Sequence, residues 1–183
     1  LGPLATQVTA IDREGIYPRA VLQHLAGLGA MGAHLDTPGR TGDYFLAIQA
    51  MAEVSRVCGA TGFMMWCQAV CGLYLQQSGN PALTGDVLHA HMAGRRLGGT
   101  ALSNPMKSYA EIESLLLKAR PVEGGYVVNG TLPWVSNLAH DHYCGAIAAV
   151  DSAAAAPGEM MFLLRCDAPG VELRHCPSFS AME

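Results

Sequence analysis

The sequence predicts an α+β protein: an all-helical N-terminal part followed by an antiparallel, β-barrel-like part. Three observations carry that prediction. Apolar residues recur at helical spacing over residues 18–96, the spacing changes to two at Gly98, and the strand-like segments beyond it follow one another without intervening helices. The switch over residues 94–98 divides the chain into expected domains 1–97 and 98–183. The second is expected to be incomplete, because the chain stops inside PSFSAME.

The helical elements follow from spacing and caps. Val21, Leu22, Leu25 and Leu28 fall on one helix face after Pro18, which suits a first helical turn, and Gly27 and Gly29 read as C-terminal stops. Asp43 or Thr41 caps a helix carrying Phe45, Ile48, Met51 and Val54. A second helix over 61–77 is apolar almost all round, which predicts burial between neighbours. Thr84 is placed to cap a short helix running to about Ala93. The glycines over 27–32 spell GLGAMG, a match to the dinucleotide-binding pattern. That motif needs a strand before its first glycine and a helix after its third. Here a helix precedes it and a turn-rich loop follows, so the dinucleotide reading is rejected.

The β half is read as strands over 99–103 and 112–119, a hairpin over 125–137 turning at Asn129–Gly130, and strands over 143–150 and 160–164. An alanine-rich link over 151–158 separates the last two, and residues 171–174 begin a further strand.

Composition excludes several classes. Half of the 183 residues are hydrophobic, enough for a sizeable core. Net charge is −4 with 11 Lys and Arg, and no basic cluster exists to displace counterions from nucleic acid. No apolar run reaches the roughly 18 residues of a membrane span, and no basic-then-apolar leader opens the chain, so a cytoplasmic location is expected. The six cysteines form no dense framework and are expected as reduced thiols, with Cys67 and Cys71 packed in the core. His140, His142 and Cys144, on alternate residues of HDHYC at 140–144, resemble a metal cluster but have no fourth ligand spaced to meet them, and no metal is expected; hydrogen-bonded or exposed histidines are the plainer reading. Glu53, Glu111 and Glu123 read as solvated or capping residues.

Two segments of the β half carry candidate chemistry. ALSNP at 101–105 ends a strand in small polar residues. PWVSN at 133–137 puts an aromatic face and a hydroxyl on the same side of a strand. Together they offer a planar heteroaromatic ligand a stacking surface with hydrogen-bond donors; the plainer alternative is a tryptophan anchoring a barrel and two serines closing turns.

IDREGIYP at 11–18, LAGLG at 25–29, GTALSNP at 99–105, GYVVNG at 125–130 and WVSN at 134–137 occur in an order and spacing that resemble the acyl-CoA dehydrogenase superfamily over almost the whole chain. The resemblance implies an N-terminal helical domain, most of a middle β domain, and a C-terminal helical bundle absent from this chain. It implies FAD (FMN as the alternative), an acyl-CoA substrate, an electron-transfer partner or reductase, and a homotetramer or homodimer. The implied reaction is α,β-dehydrogenation of an acyl thioester with hydride transfer to flavin N5. Its catalytic residue is unknown here, because the family's base lies in the missing domain, and the fragment alone should be inert. The implied alternatives are a flavin monooxygenase using reduced flavin and oxygen, and a flavin-free scaffold.

By the same resemblance, Leu102 and Ser103 bind the pyrimidine side of the flavin and Trp134 packs against its rings. Val135 and Ser136 lie beside N5 and O4, where Ser136 steadies the reduced anion. The family's T-E-P-x-x-G-S-D is replaced by SNPMKSY at 103–109. Asn104 stands where an acidic residue is usual, and Ser108 and Tyr109 are left as candidate substrate-binding residues.

Overall fold

The computed structural model describes residues 1–151 and 158–174. Residues 152–157 of the alanine-rich link and the C-terminal PSFSAME therefore lie outside the described residues. The chain forms two compact units, Leu1–Gly98, to which residues 172–174 also belong, and Gly99–Val171.

The first unit is helical. It comprises α1 (Gly2–Ala5), α2 (Val8–Glu14), α3 (Arg19–Gly27), α4 (Tyr44–Ser55), α5 (Gly59–Gln77), α6 (Pro81–Thr84) and α7 (Asp86–Met92). The first two were not expected from the sequence. The Asp43 side chain caps α4 by accepting from the Leu46 amide. Helix α3 ends in paired bonds, Gly29 N–H to Ala26 O and Ala30 N–H to Leu25 O, with Gly29 at φ +83°. GLGAMG is therefore a helix terminus, as its context predicts. Asn80, not Thr84, supplies the next cap: its side chain accepts from Ala82 N–H, and Thr84 closes α6. Leu4, Ile11, Leu22, Leu25, Met31, Val54 and Met65 form the core. Helix α5 buries a stripe of small and polar residues while Trp66 stays half exposed, stacked on Phe63 at 5.6 Å, so α5 is not covered all round.

Gln68 organises the middle of α5. Its amide N–H groups donate to the carbonyls of His91 and Arg96, and its Oε1 accepts from Gly98 N–H. His34 and His91 are buried in this unit, donating from Nε2 to the carbonyls of Ala69 and Gln68. Burial lowers the pKa of both, that of His91 to about 4, because a desolvated imidazolium is costly.

The second unit holds β1 (Gly98–Thr100), α8 (Ser103–Tyr109), β2 (Lys118–Val122), β3 (Gly125–Asn129), β4 (Tyr143–Val150) and β5 (Gly158–Arg165). The sheet order is β1-β4-β2-β3, with β5 also on β4. Strand β5 runs antiparallel along the whole of β4, whereas β2 pairs parallel with its end through Lys118↔Ala149 and Ala119↔Val150. The sheet is thus mixed, and among the described residues it is open, not the expected antiparallel barrel. Cys144, Ala146 and Ala148 alternate inward on β4 and meet Ala101, Leu117 and Ala119.

Four local expectations are corrected. The hairpin turns at Glu123–Gly124, pairing Val122 with Gly125, because Gly124 takes φ +79°. Gly130, at φ +143°, is a point of close approach instead, where a Cβ would strike the Leu116 carbonyl. The strand expected over 99–103 stops at Thr100, and SNPMKSY coils into α8, with Pro105 in the first turn where no N–H is needed. The strand expected over 112–119 begins only at Lys118, because the Asn104 side chain takes up backbone groups of Ser114 and Leu116 before it. Residues 171–174 form no strand. No helix among the described residues is long and apolar enough to cross a membrane.

Candidate functional site

The two segments singled out by sequence meet in the second unit. Thr100 and Ser136 form an isolated antiparallel bridge. In antiparallel order, the residues following Thr100 and those preceding Ser136 run toward the same end. Leu102 and Ser103 therefore lie at the end occupied by Trp134 and Val135. Trp134 is 48% exposed, Ser103 is exposed, and Leu102, Val135 and Ser136 are half buried. Gly99 permits the approach: a Cβ there would run into the Ser136 carbonyl oxygen. Ala101 N–H donates to Gly145 O at 2.9 Å, tying the same edge to β4.

Asn104 anchors the first turn of α8. Its Nδ2 donates to Glu113 Oε1 and Ser114 O, both at 2.9 Å, and its Oδ1 accepts from Leu116 N–H at 2.9 Å. The side chain is buried, and its carboxamide both gives to and takes from the loop, which a carboxylate cannot do. Asn in place of the usual acidic residue is thereby accounted for by packing. This insertion also replaces strand pairing over 113–116.

Helix α8 ends in a second pair of terminal bonds, Glu111 N–H to Ser108 O and Ile112 N–H to Lys107 O. Glu111 occupies the left-handed position at φ +58°, which glycine usually fills. Tyr109 lies about 9 Å along the axis from Ser103, at roughly 1.5 Å per residue, so it and Ser108 stand away from the bridge. The Tyr109 hydroxyl donates to Glu159 Oε2 at 2.8 Å, and that bond raises its pKa.

Beyond Ser136 the chain turns through Asn137, whose φ is +61°. The turn is closed by His142, whose Nδ1 donates to Asn137 O at 3.0 Å and whose backbone N–H donates to Ala139 O at 2.9 Å. In the sequence His142 stands out only within the rejected metal cluster, because the backbone carbonyl it serves leaves no signature in residue type. Among the described residues, no three His, Cys, Asp or Glu groups come together as metal ligands. Burial pushes the thiols of Cys67 and Cys144 up to about 12 and that of Cys166 to about 11, which keeps them protonated and poorly nucleophilic.

A half-exposed indole thus shares this edge with two serines, Ser136 at the bridge and Ser103 in the first turn of α8, the kinds of group a planar heteroaromatic ligand needs.

Comparison with known proteins bears on this geometry. Residues 3–95 match the family model described as acyl-CoA dehydrogenase, N-terminal domain. The chain is 30% identical over 172 residues to mitochondrial isovaleryl-CoA dehydrogenase of Oryza sativa subsp. japonica, covering 91% of this chain and 42% of that protein. Butyryl-CoA dehydrogenase from Megasphaera elsdenii shares the fold at a TM-score of 0.78 and 23% identity, over 92% of this chain and 45% of that one. Glutaryl-CoA dehydrogenase from Mycobacterium smegmatis, solved in complex with FADH2, matches at a TM-score of 0.69 and 20% identity, over 92% of this chain and 45% of that one. The chain thus spans less than half the length of these relatives.

Proposed function

The chain belongs to the acyl-CoA dehydrogenase family, and from that premise we propose that it supplies the flavin edge of an enzyme that α,β-dehydrogenates an acyl-CoA. The observation that carries the reading is the Thr100–Ser136 bridge, which gathers Leu102, Ser103, Trp134, Val135 and Ser136 at one end of the sheet. When bound there, FAD supplies the hydride acceptor for the substrate β-hydrogen.

The residues of this chain hold and orient. The Trp134 ring offers a flat apolar face for stacking, and Val135 excludes water beside it. The backbone of Leu102 and Ser103 and the Ser103 hydroxyl would bond the polar pyrimidine edge. The hydroxyl and amide of Ser136 would offer fixed dipoles to the flavin region that gains negative charge on reduction. The carboxylate that removes the substrate α-proton is proposed to come from beyond residue 183. Isovaleryl- and butyryl-type thioesters are the proposed substrate class, after the names of the matched relatives. The departure at Asn104 favours no other chemistry, since its carboxamide is taken up by the 113–116 loop. Electrons are proposed to leave to an electron-transferring partner, from a homo-oligomer.

The test uses full-length protein. It is expected to purify yellow and to bleach anaerobically with isovaleryl-CoA or butyryl-CoA. Ser136→Ala should slow bleaching at least about tenfold while leaving the melting temperature unchanged. A protein that takes up no FAD, or a Ser136→Ala variant that bleaches at the parent rate, would remove the reading.

A further inference from the structure

His142 is almost wholly buried, yet neither its ring nor its position belongs to the flavin edge itself. Its contacts form a continuous path. From the end of β5, Cys166 N–H donates to His142 O at 2.9 Å; His142 N–H donates to Ala139 O at 2.9 Å; His142 Nδ1 reaches Asn137 O at 3.0 Å. Asn137 directly follows Ser136, which is bridged to Thr100. Because a carbonyl can only accept, Nδ1 carries the proton, which fixes the tautomer and the orientation of the ring. The far nitrogen, Nε2, lies 3.7 Å from Asp141 Oδ1, outside hydrogen-bond range.

The held residue is in an unfavourable conformation. Asn137 sits at φ +61°, where a side chain other than that of glycine is disfavoured and asparagine is among the better tolerated. A donor held just before β4, by the Cys166 and Ala139 backbone bonds, and aimed at its carbonyl selects that turn over extended alternatives. The direction of the turn sets where the Ser136 hydroxyl and amide face.

We propose that His142 is a positioning residue: its Nδ1–H locks the left-handed Asn137 turn and thereby fixes Ser136 at the flavin edge. The inference rests on the functional reading given above for what Ser136 faces, but the clamp itself is a property of the chain alone.

The test takes the full-length protein with His142→Leu, His142→Asn and His142→Gln. Asparagine places a carboxamide N–H where Nδ1 lies, glutamine places it one bond farther out, and leucine supplies no donor. Two readouts are taken: amide hydrogen exchange over 134–138 in flavin-free protein, and the FAD dissociation constant from flavin fluorescence. His142→Leu and His142→Gln should exchange at least about tenfold faster over 134–138 and bind FAD about tenfold more weakly. His142→Asn should return both readouts to within about threefold of the parent, and exchange in α4 and α5 should not change in any variant.

Should His142→Leu fail to fold, the contrast between asparagine and glutamine carries the same decision. Parent-like exchange in the leucine and glutamine variants overturns the clamp. Equal defects in the asparagine and glutamine variants overturn the donor role, and faster exchange with unchanged FAD affinity overturns the positioning role. If the parent itself binds no FAD, the functional reading fails, and the exchange contrast alone still decides the clamp.

Discussion

Replacing Gly99 by alanine tests the proposed flavin edge with a single methyl group. The added Cβ would overlap the Ser136 carbonyl oxygen and stand 3.3 Å from the Ser136 carbonyl carbon and 3.4 Å from Asn137 O. All three are backbone atoms, so none can swing aside as a side chain would. The bridge to Thr100 must open, forfeiting a backbone hydrogen bond worth about 1 kcal/mol. Forcing two packed segments apart adds about 1–3 kcal/mol. The expected loss is about 2–4 kcal/mol for this unit, the sum of those two contributions, with FAD affinity falling more than about tenfold as Ser136 is displaced. Gly125→Ala is the control, since a methyl group there would meet nothing within 4 Å and should change stability by no more than about 0.5 kcal/mol. Denaturant unfolding and FAD titration of both variants give the comparison. If Gly99→Ala unfolds and binds FAD as Gly125→Ala does, the close approach of Gly99 to Ser136 is wrong, and the edge built on it falls.

Two further outcomes are expected. His91 titrates near 4 when folded against 6.5 when free, so its contribution to stability is whole above pH 6.5 and is lost as pH falls toward 4, by about 3 kcal/mol at the limit. His91→Gln keeps an N–H for the Gln68 carbonyl without the titration and should flatten the fall in melting temperature between pH 6.5 and 4; an unchanged slope would refute this. Glu111→Gly should raise stability by about 0.5–1 kcal/mol in a thermal melt, because the left-handed residue ending α8 loses its strain and the gain exceeds the added chain entropy. A lower melting temperature would contradict it.

What could be read from the sequence was what local physics decides. The α3 stop at Gly29 and the Asp43 cap of α4 depend on residues a few positions away, and both are found where expected. Strands β4 and β5 announce themselves as short apolar runs. The failures are nonlocal or competitive. Asn129–Gly130 carries a hairpin signal, but Glu123–Gly124 takes the turn, and Gly130 is needed against Leu116. The parallel pairing of β2 with β4 has no local signature at all. At the candidate site, the proximity of 102–103 to 134–136 was proposed through family resemblance, whereas the bridge that creates it joins backbone atoms and leaves no trace in side-chain type. The roles of Asn104 and His142 stayed hidden for the same reason: each serves main-chain groups.

The parallel β2–β4 pair has a kinetic consequence. Its two strands are joined through β3 and the whole 130–142 connection, so residues 134–137 ride on a segment whose ends are anchored late. Loop-closure entropy must be overcome before those long-range pairings return any enthalpy. Residues 134–137 are then expected to assemble late in their unit and to fray early under denaturant, and FAD held there, as proposed, would act as a molecular fastener that postpones the fraying.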